Sequence, residues 1–173
     1  EYRSYTPPGT TGEEMIERLA DRLMSVDLLD QAAALLDHQM KFQLEKERRS
    51  RIGAKLAAIH LLNHQPRKAL ASLEDSVYGE NSLLLKQQRN RLTAQAMLAL
   101  GQPDKTMAIL SQDNTPEANR IRLDVYWRAR DWPKVMSNVE AALKERPDPS
   151  APMTMDEAES LLKLALAYVF QND

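Results

Sequence analysis

Apolar residues recur at helical spacing along almost the whole chain, as in Met15, Leu19 and Leu23 and then Leu28, Ala32, Leu35 and Leu36. No period-two alternation competes with them. With 3.6 residues per turn, this spacing gives each segment one apolar face, so the pattern predicts an all-α chain. Helices are expected near 13–25, 28–48, 50–63, 66–77, 82–100, 103–111, 116–130, 133–145 and 154–171. Start signals agree. Thr11 with Glu14 and Thr154 with Glu157 fit the capping box, in which hydroxyl and carboxylate accept backbone N–H groups left unpaired at a helix start. Thr115 before Pro116 reads as an N-cap followed by a first-turn proline. The proline-interrupted stretches 1–12 and 146–152 read as an extended tail or linker and a loop.

The chain also resembles itself. HQPRKALASL at 64–73 and GQPDKTMAIL at 101–110 share Gln, Pro, Lys, Ala and Leu in one register, 37 residues apart. DLLDQAAALL at 27–36 precedes by 37, and RDWPKVMSNV at 130–139 follows by 29. The register aligns Ala32, Ala69, Thr106 and Val135, with Leu36, Leu73, Leu110 and Val139 one turn on. Twelve residues before the first set stand Ala20, Ala57, Ala94 and Leu123, and a fifth copy is expected at Ala165. Nine helices thus make four pairs, near 13–48, 50–77, 82–111 and 116–145, plus an unpaired helix at 154–171. Together they form one repeat domain over 13–173.

These residues resemble the tetratricopeptide repeat family, whose repeat of about 34 residues is a helix, a turn and a helix. The family places a small residue in the first helix, an aromatic three residues later, and Ala followed by a large apolar residue in the second. Here Leu23, His60, Met97, Tyr126 and Tyr168 stand at the aromatic position. Small residues let helix axes approach to roughly 8 to 10 Å while the large ones fill the groove. Leu123 and Val135 are bulkier than the pattern, and the repeat length varies between 29 and 42. Another α-solenoid or a plain helical bundle would give the same apolar periodicity. The resemblance implies a right-handed α-solenoid of antiparallel helix pairs whose first helices line a concave binding face.

In that register the face carries Glu14, Glu17, Asp21 and Met24, then Arg51, Ala54, Ala58 and Leu61, then Gln88, Arg91, Gln95 and Leu98. It continues with Glu117, Arg120, Asp124, Trp127 and Arg128, and ends with Glu159, Leu162, Leu166, Val169 and Phe170. Arg51, Gln88, Arg91, Gln95, Arg120, Asp124, Trp127 and Arg128 are the expected partner-binding residues. Arg suits a carboxylate bidentately and Trp offers a large anchoring face, so an acidic peptide with an apolar anchor is the expected partner. Some members of the family clamp a terminal carboxylate with Lys and Asn. The corresponding Asn positions here hold Asp21, Ala58, Gln95 and Asp124, which do not support that ligand. Leu162, Leu166, Val169 and Phe170 would form an exposed apolar patch on an unpaired helix. Flanking sequence, self-association into a homo-oligomer, or a partner could cover it; alternatively the helix is a polar-faced cap in another register.

Composition narrows the partners. With 23 Lys and Arg against 25 Asp and Glu, the formal charge of −2 argues against nucleic acid. The best case for RNA is a stripe stacked from the basic clusters at 46–51 and 86–91 with Arg120 and Arg122, but Glu interleaves and aromatics are only 5% of the chain. Absence of Cys removes thiolate chemistry and leaves the compartment undecided. No apolar run approaches the roughly 20 residues of a membrane span. A start at Glu1 without a leader pattern suggests a processed chain or an excised piece. His60 and His64 share a helix four residues apart, yet two imidazoles make a weak metal site, and His60 fits the aromatic packing position instead. No nucleophile elbow or phosphate loop appears. The expectation is a non-catalytic module without cofactor or metal.

Overall fold

A computed structural model describes residues 10–42, 46–77, 79, 81–146, 148 and 150–171. Among them it holds nine helices and no strand: α1 (Thr10–Ser25), α2 (Leu29–Phe42), α3 (Lys46–Leu62), α4 (Pro66–Asp75), α5 (Leu83–Ala99), α6 (Pro103–Leu110), α7 (Pro116–Arg128), α8 (Trp132–Lys144) and α9 (Met155–Gln171). The chain is all-α. No described helix is long and apolar enough to cross a membrane.

Two boundaries differ from expectation. α1 starts at Thr10, so Thr11 lies inside the helix rather than capping it, and only residues 1–9 of the expected tail remain, outside the described residues. α2 ends at Phe42 and the basic run from Lys46 opens α3, because Ile52, Leu56 and Ile59 put that run in register with the α3 apolar face. The other start signals hold. Thr115 Oγ accepts from the Ala118 N–H at 3.3 Å, and Thr154 and Glu157 exchange bonds of 2.7 and 3.3 Å in a complete capping box.

Four turns share one geometry. The chain leaves α1, α3, α5 and α7 through Asp27, His64, Gly101 and Arg130, all at φ between 54° and 73°. In each, the next residue donates back five positions: Leu28 to Leu23, Gln65 to His60, Gln102 to Met97, and Asp131 to Tyr126, at 2.7 to 3.0 Å. This is the Schellman closure, which satisfies carbonyls left unpaired at a helix end. The acceptor residues are those the sequence register places three after Ala20, Ala57, Ala94 and Leu123. Five residues after each left-handed residue stand Ala32, Ala69, Thr106 and Val135, all fully buried. Ala20, Ala57 and Ala94 are fully buried too. In the last copy the buried small residue is Ala167, while Ala165 is exposed, so the expected register of α9 is displaced by two residues.

Contacts divide the chain into two compact units, one ending at Ile109 and one starting at Leu110. In the first, α3 is apolar on two sides. Ile52, Leu56 and Ile59 pack with Ala20, Ala32, Leu36 and Met40, while Ala54 and Ala57 pack with Ala69, Leu73, Leu85 and Ala96. In the second, Leu123, Val135, Val139 and Ala167 form the core of α7, α8 and α9.

Candidate functional site

The α3 and α5 helices of the first unit are locked from below by a buried polar network. Gly53 makes it possible: a Cβ there would lie 1.8 Å from the Ser76 Oγ, so α3 meets the end of α4 at a distance only Gly allows. The Ser50 hydroxyl donates to the Ser76 carbonyl at 2.6 Å, and the Ser76 hydroxyl donates to the Ser72 carbonyl at 2.6 Å. From α5, the buried Arg89 guanidinium donates to the Ser50 carbonyl at 2.7 Å, the Ser76 hydroxyl at 3.0 Å and the Leu73 carbonyl. Burial lowers the Arg89 pKa from its ordinary value. One cation thereby closes the end of α4 and ties α5 to both neighbours.

Above this network, α3 and α5 frame an open groove of about 800 Å³ lined by Glu47, Arg48, Arg51, Ser82, Leu84, Leu85, Gln88 and Arg91. Ser82 caps α5, its hydroxyl accepting from the Leu85 N–H at 3.4 Å, and its own N–H donates to Glu47 at 3.3 Å. That pins the first turn of α5 to the first turn of α3. Leu84 is 77% exposed at the groove, a large apolar side chain beside cations. Arg48 pairs with Glu13 at 2.7 Å and Glu17 at 3.4 Å on α1, and Arg51 reaches Glu17 at 3.7 Å. Lys55 pairs with Asp21 at 2.5 Å.

Three of the expected partner-binding residues, Arg51, Gln88 and Arg91, therefore share one groove. Gln95 is exposed further along α5, and Ala54 and Leu98, expected on the same face, are buried in the core. The rest belong to the second unit. Arg120 pairs with Asp156, and Asp124 accepts from Lys163 at 2.8 Å, so α9 engages both. Trp127 is half-buried and meets Trp132 edge to face, and Arg128 lines a cleft beside them. On α9, Leu162 and Val169 are exposed as expected, Leu166 is half-buried, and Phe170 rests partly on Trp132.

The basic clusters are largely engaged within the fold. Besides Arg48 and Arg89, Arg122 donates to the carbonyls of Leu110 and Asp113, both at 2.6 Å. His60 is half-buried in α3, its pKa lowered first by burial and then by the Lys68 charge, and His64 occupies the turn after α3. Sequence reasoning missed Gly53, Ser82 and Leu84. A Gly inside a helical run is a signal of close approach, and Ser before an apolar run is a cap signal; nothing in the sequence marks Leu84 as exposed. Compared with known proteins, the chain matches no family model, no curated protein and no solved structure.

Proposed function

We propose that the chain is a non-catalytic protein-interaction module that holds a peptide or protein segment in the α3–α5 groove. In this reading its helices form a right-handed, tetratricopeptide-like solenoid, and the groove is part of the concave face. The observation that carries the reading is the convergence of Arg51, Gln88 and Arg91 from two helices on one open groove with Leu84 at its side. Guanidinium groups beside an exposed apolar side chain suit a carboxylate next to an apolar anchor. The four equivalent turns and the fully buried small residues behind them support the repeat architecture. Because Arg48, Arg89 and Arg122 are engaged with carboxylates and carbonyls, the basic clusters favour protein over nucleic acid.

The test is affinity capture with the wild-type chain and an Arg51→Glu, Gln88→Ala, Arg91→Glu triple variant. Loss of the captured partners with an unchanged circular dichroism spectrum is the expected result. Undiminished capture rejects the groove.

A second reading is self-association through α9, where Leu162 is 60% and Val169 56% exposed, seven residues apart on one face. It requires a mass that rises with concentration and falls back to monomer in Leu162→Glu, Val169→Glu.

A further inference from the structure

The chain contains two Trp, and both stand in one cleft of the second unit, where the α7–α8 turn meets the last turn of α9. Trp127 and Trp132 have ring centroids 5.4 Å apart, and Phe170 tilts on Trp132 at 5.2 Å. With Arg128 and Arg130 these rings line an open cleft of about 590 Å³. Trp127 and Trp132 are anchored in the unit's core beside Leu123 and Val139, whereas Phe170 keeps 44% of its surface exposed. The cleft is thus a fixed aromatic shelf with an accessible edge. Arg130 sits beside it at φ 56°, at the turn position where Gly is conformationally cheapest.

We propose that this cleft is a second docking site, for an extended segment of a partner protein that lays a proline or aromatic ring on the Trp132–Phe170 shelf and a neighbouring carboxylate on Arg130. Rigid aromatic surface gives contact area at small entropic cost, and a planar guanidinium recognises a carboxylate by paired hydrogen bonds. Charge selects the polarity of the segment, because a Lys or Arg beside the anchor would face Arg130. Stacking on nucleobases would use similar rings but needs a continuous cationic track for the backbone. Here Arg120, Lys134, Arg146 and Lys163 are each paired with a carboxylate of the same unit, so the track is lacking.

Both Trp report on the site directly, so the test is a fluorescence titration with terminally blocked, Trp-free octapeptides. One series flanks a Phe or Pro anchor with Asp and Glu, a second flanks it with Lys, and a third replaces the anchor by Ser. A saturable change in emission for the first series alone is expected. Arg130→Gly removes the charge while easing the backbone, so it should weaken binding tenfold or more with a melting temperature equal to or above wild type. Phe170→Ser should weaken binding comparably. Arg51→Glu should leave the titration unchanged, which separates this site from the α3–α5 groove. The proposal is overturned by no saturable change with acidic peptides, by equal binding of the Lys series, by unchanged affinity in both Arg130→Gly and Phe170→Ser, or by preferential binding of an oligouridylate.

Discussion

The α3–α5 face and the α7–α9 face occupy equivalent places in the sequence register, yet they are held in opposite ways. In the first unit α5 is tied to α3 and α4 chiefly below the surface, by Arg89, Ser50 and Ser76, while at the rim of the open groove the Ser82 N–H meets Glu47 and Arg51 reaches Glu17. In the second, the joining is done on the surface itself. Lys163 bridges Asp124 at 2.8 Å and Glu159 at 2.9 Å, and Arg120 pairs with Asp156. A face whose polar groups hold its own helices together has fewer of them to offer a partner. The same residue types therefore carry different expectations in the two units, and the deciding feature is where the structural hydrogen bonds are made.

The sharpest way to break this contrast is to remove what keeps the first unit's bonds below the surface. Gly53→Ala places a methyl on the Ser76 hydroxyl, and Ser76 must move, taking its bonds to Ser72 and Arg89 with it. Overpacking of this kind costs about 1 to 3 kcal/mol and outweighs the gain in helix propensity. Arg89→Met leaves the Ser50 and Leu73 carbonyls without that donor and should cost about 2 to 4 kcal/mol. Urea unfolding measures both. A Gly53→Ala chain as stable as wild type would show that α3 and α4 are not in contact as described.

The contrast also shows how far the sequence could be read. Two of the turns were legible because Gln-Pro recurs at 65–66 and 102–103, whereas the left-handed Asp27, His64 and Arg130 carry no Gly to mark them; the small residues were legible because their burial follows the same register in Ala20, Ala57 and Ala94. The α9 register was not. Both Ala165 and Ala167 are small, and only packing on α7 and α8 decides that Ala167 faces the core. Nor does sequence say which Arg of a cluster goes inside: within KQQRNR, Arg89 is buried while Lys86 is exposed, and the difference is the position of Ser50 and Leu73 across the helix interface. Ion pairs such as Lys163 with Asp124 join residues 39 apart and leave no local mark.

A smaller effect probes the turns both units share. Gly101 at φ 73° accepts no Cβ without strain, so Gly101→Ala should cost about 1 kcal/mol, whereas His64→Gly should stabilise by a few tenths to about 1 kcal/mol. Thermal melts compare them. Opposite signs confirm that one closure serves both turns; equal signs would refute it.

Smaller again is the surface joining of α7 to α9. Lys163→Met removes bonds to two half-exposed carboxylates, so a loss of about 0.5 to 1 kcal/mol is expected, shrinking at high salt. Arg89→Met should lose as much at high salt as at low, because its partners are buried carbonyls rather than solvated charges. Equal salt sensitivity of the two variants would erase the distinction between the faces.

The weakest effect separates the units by pH. In the first, burial, followed by the Lys68 charge, holds the His60 imidazole below its ordinary value of 6.5, against the opposing pull of Gln65, Asp37 and Asp30. As pH falls through about 6.5, the unfolded chain protonates this His before the folded one does, so stability declines until the folded imidazole also takes its proton. In the second unit, the Thr154 N–H holds the Glu157 carboxyl below its ordinary 4.5, so its stabilisation is present above that value and fades as pH falls through the lower folded one. Two separate windows follow, one for each unit. Chemical unfolding midpoints across the range from pH 7.5 to 3 should show the upper step vanish in His60→Phe, and the lower step shrink in Glu157→Gln, because Asp131, Asp148 and Glu159 of the same unit are also held below their ordinary values. A His60→Phe chain that keeps the upper step would assign that proton uptake elsewhere and remove His60 from the account of the first unit.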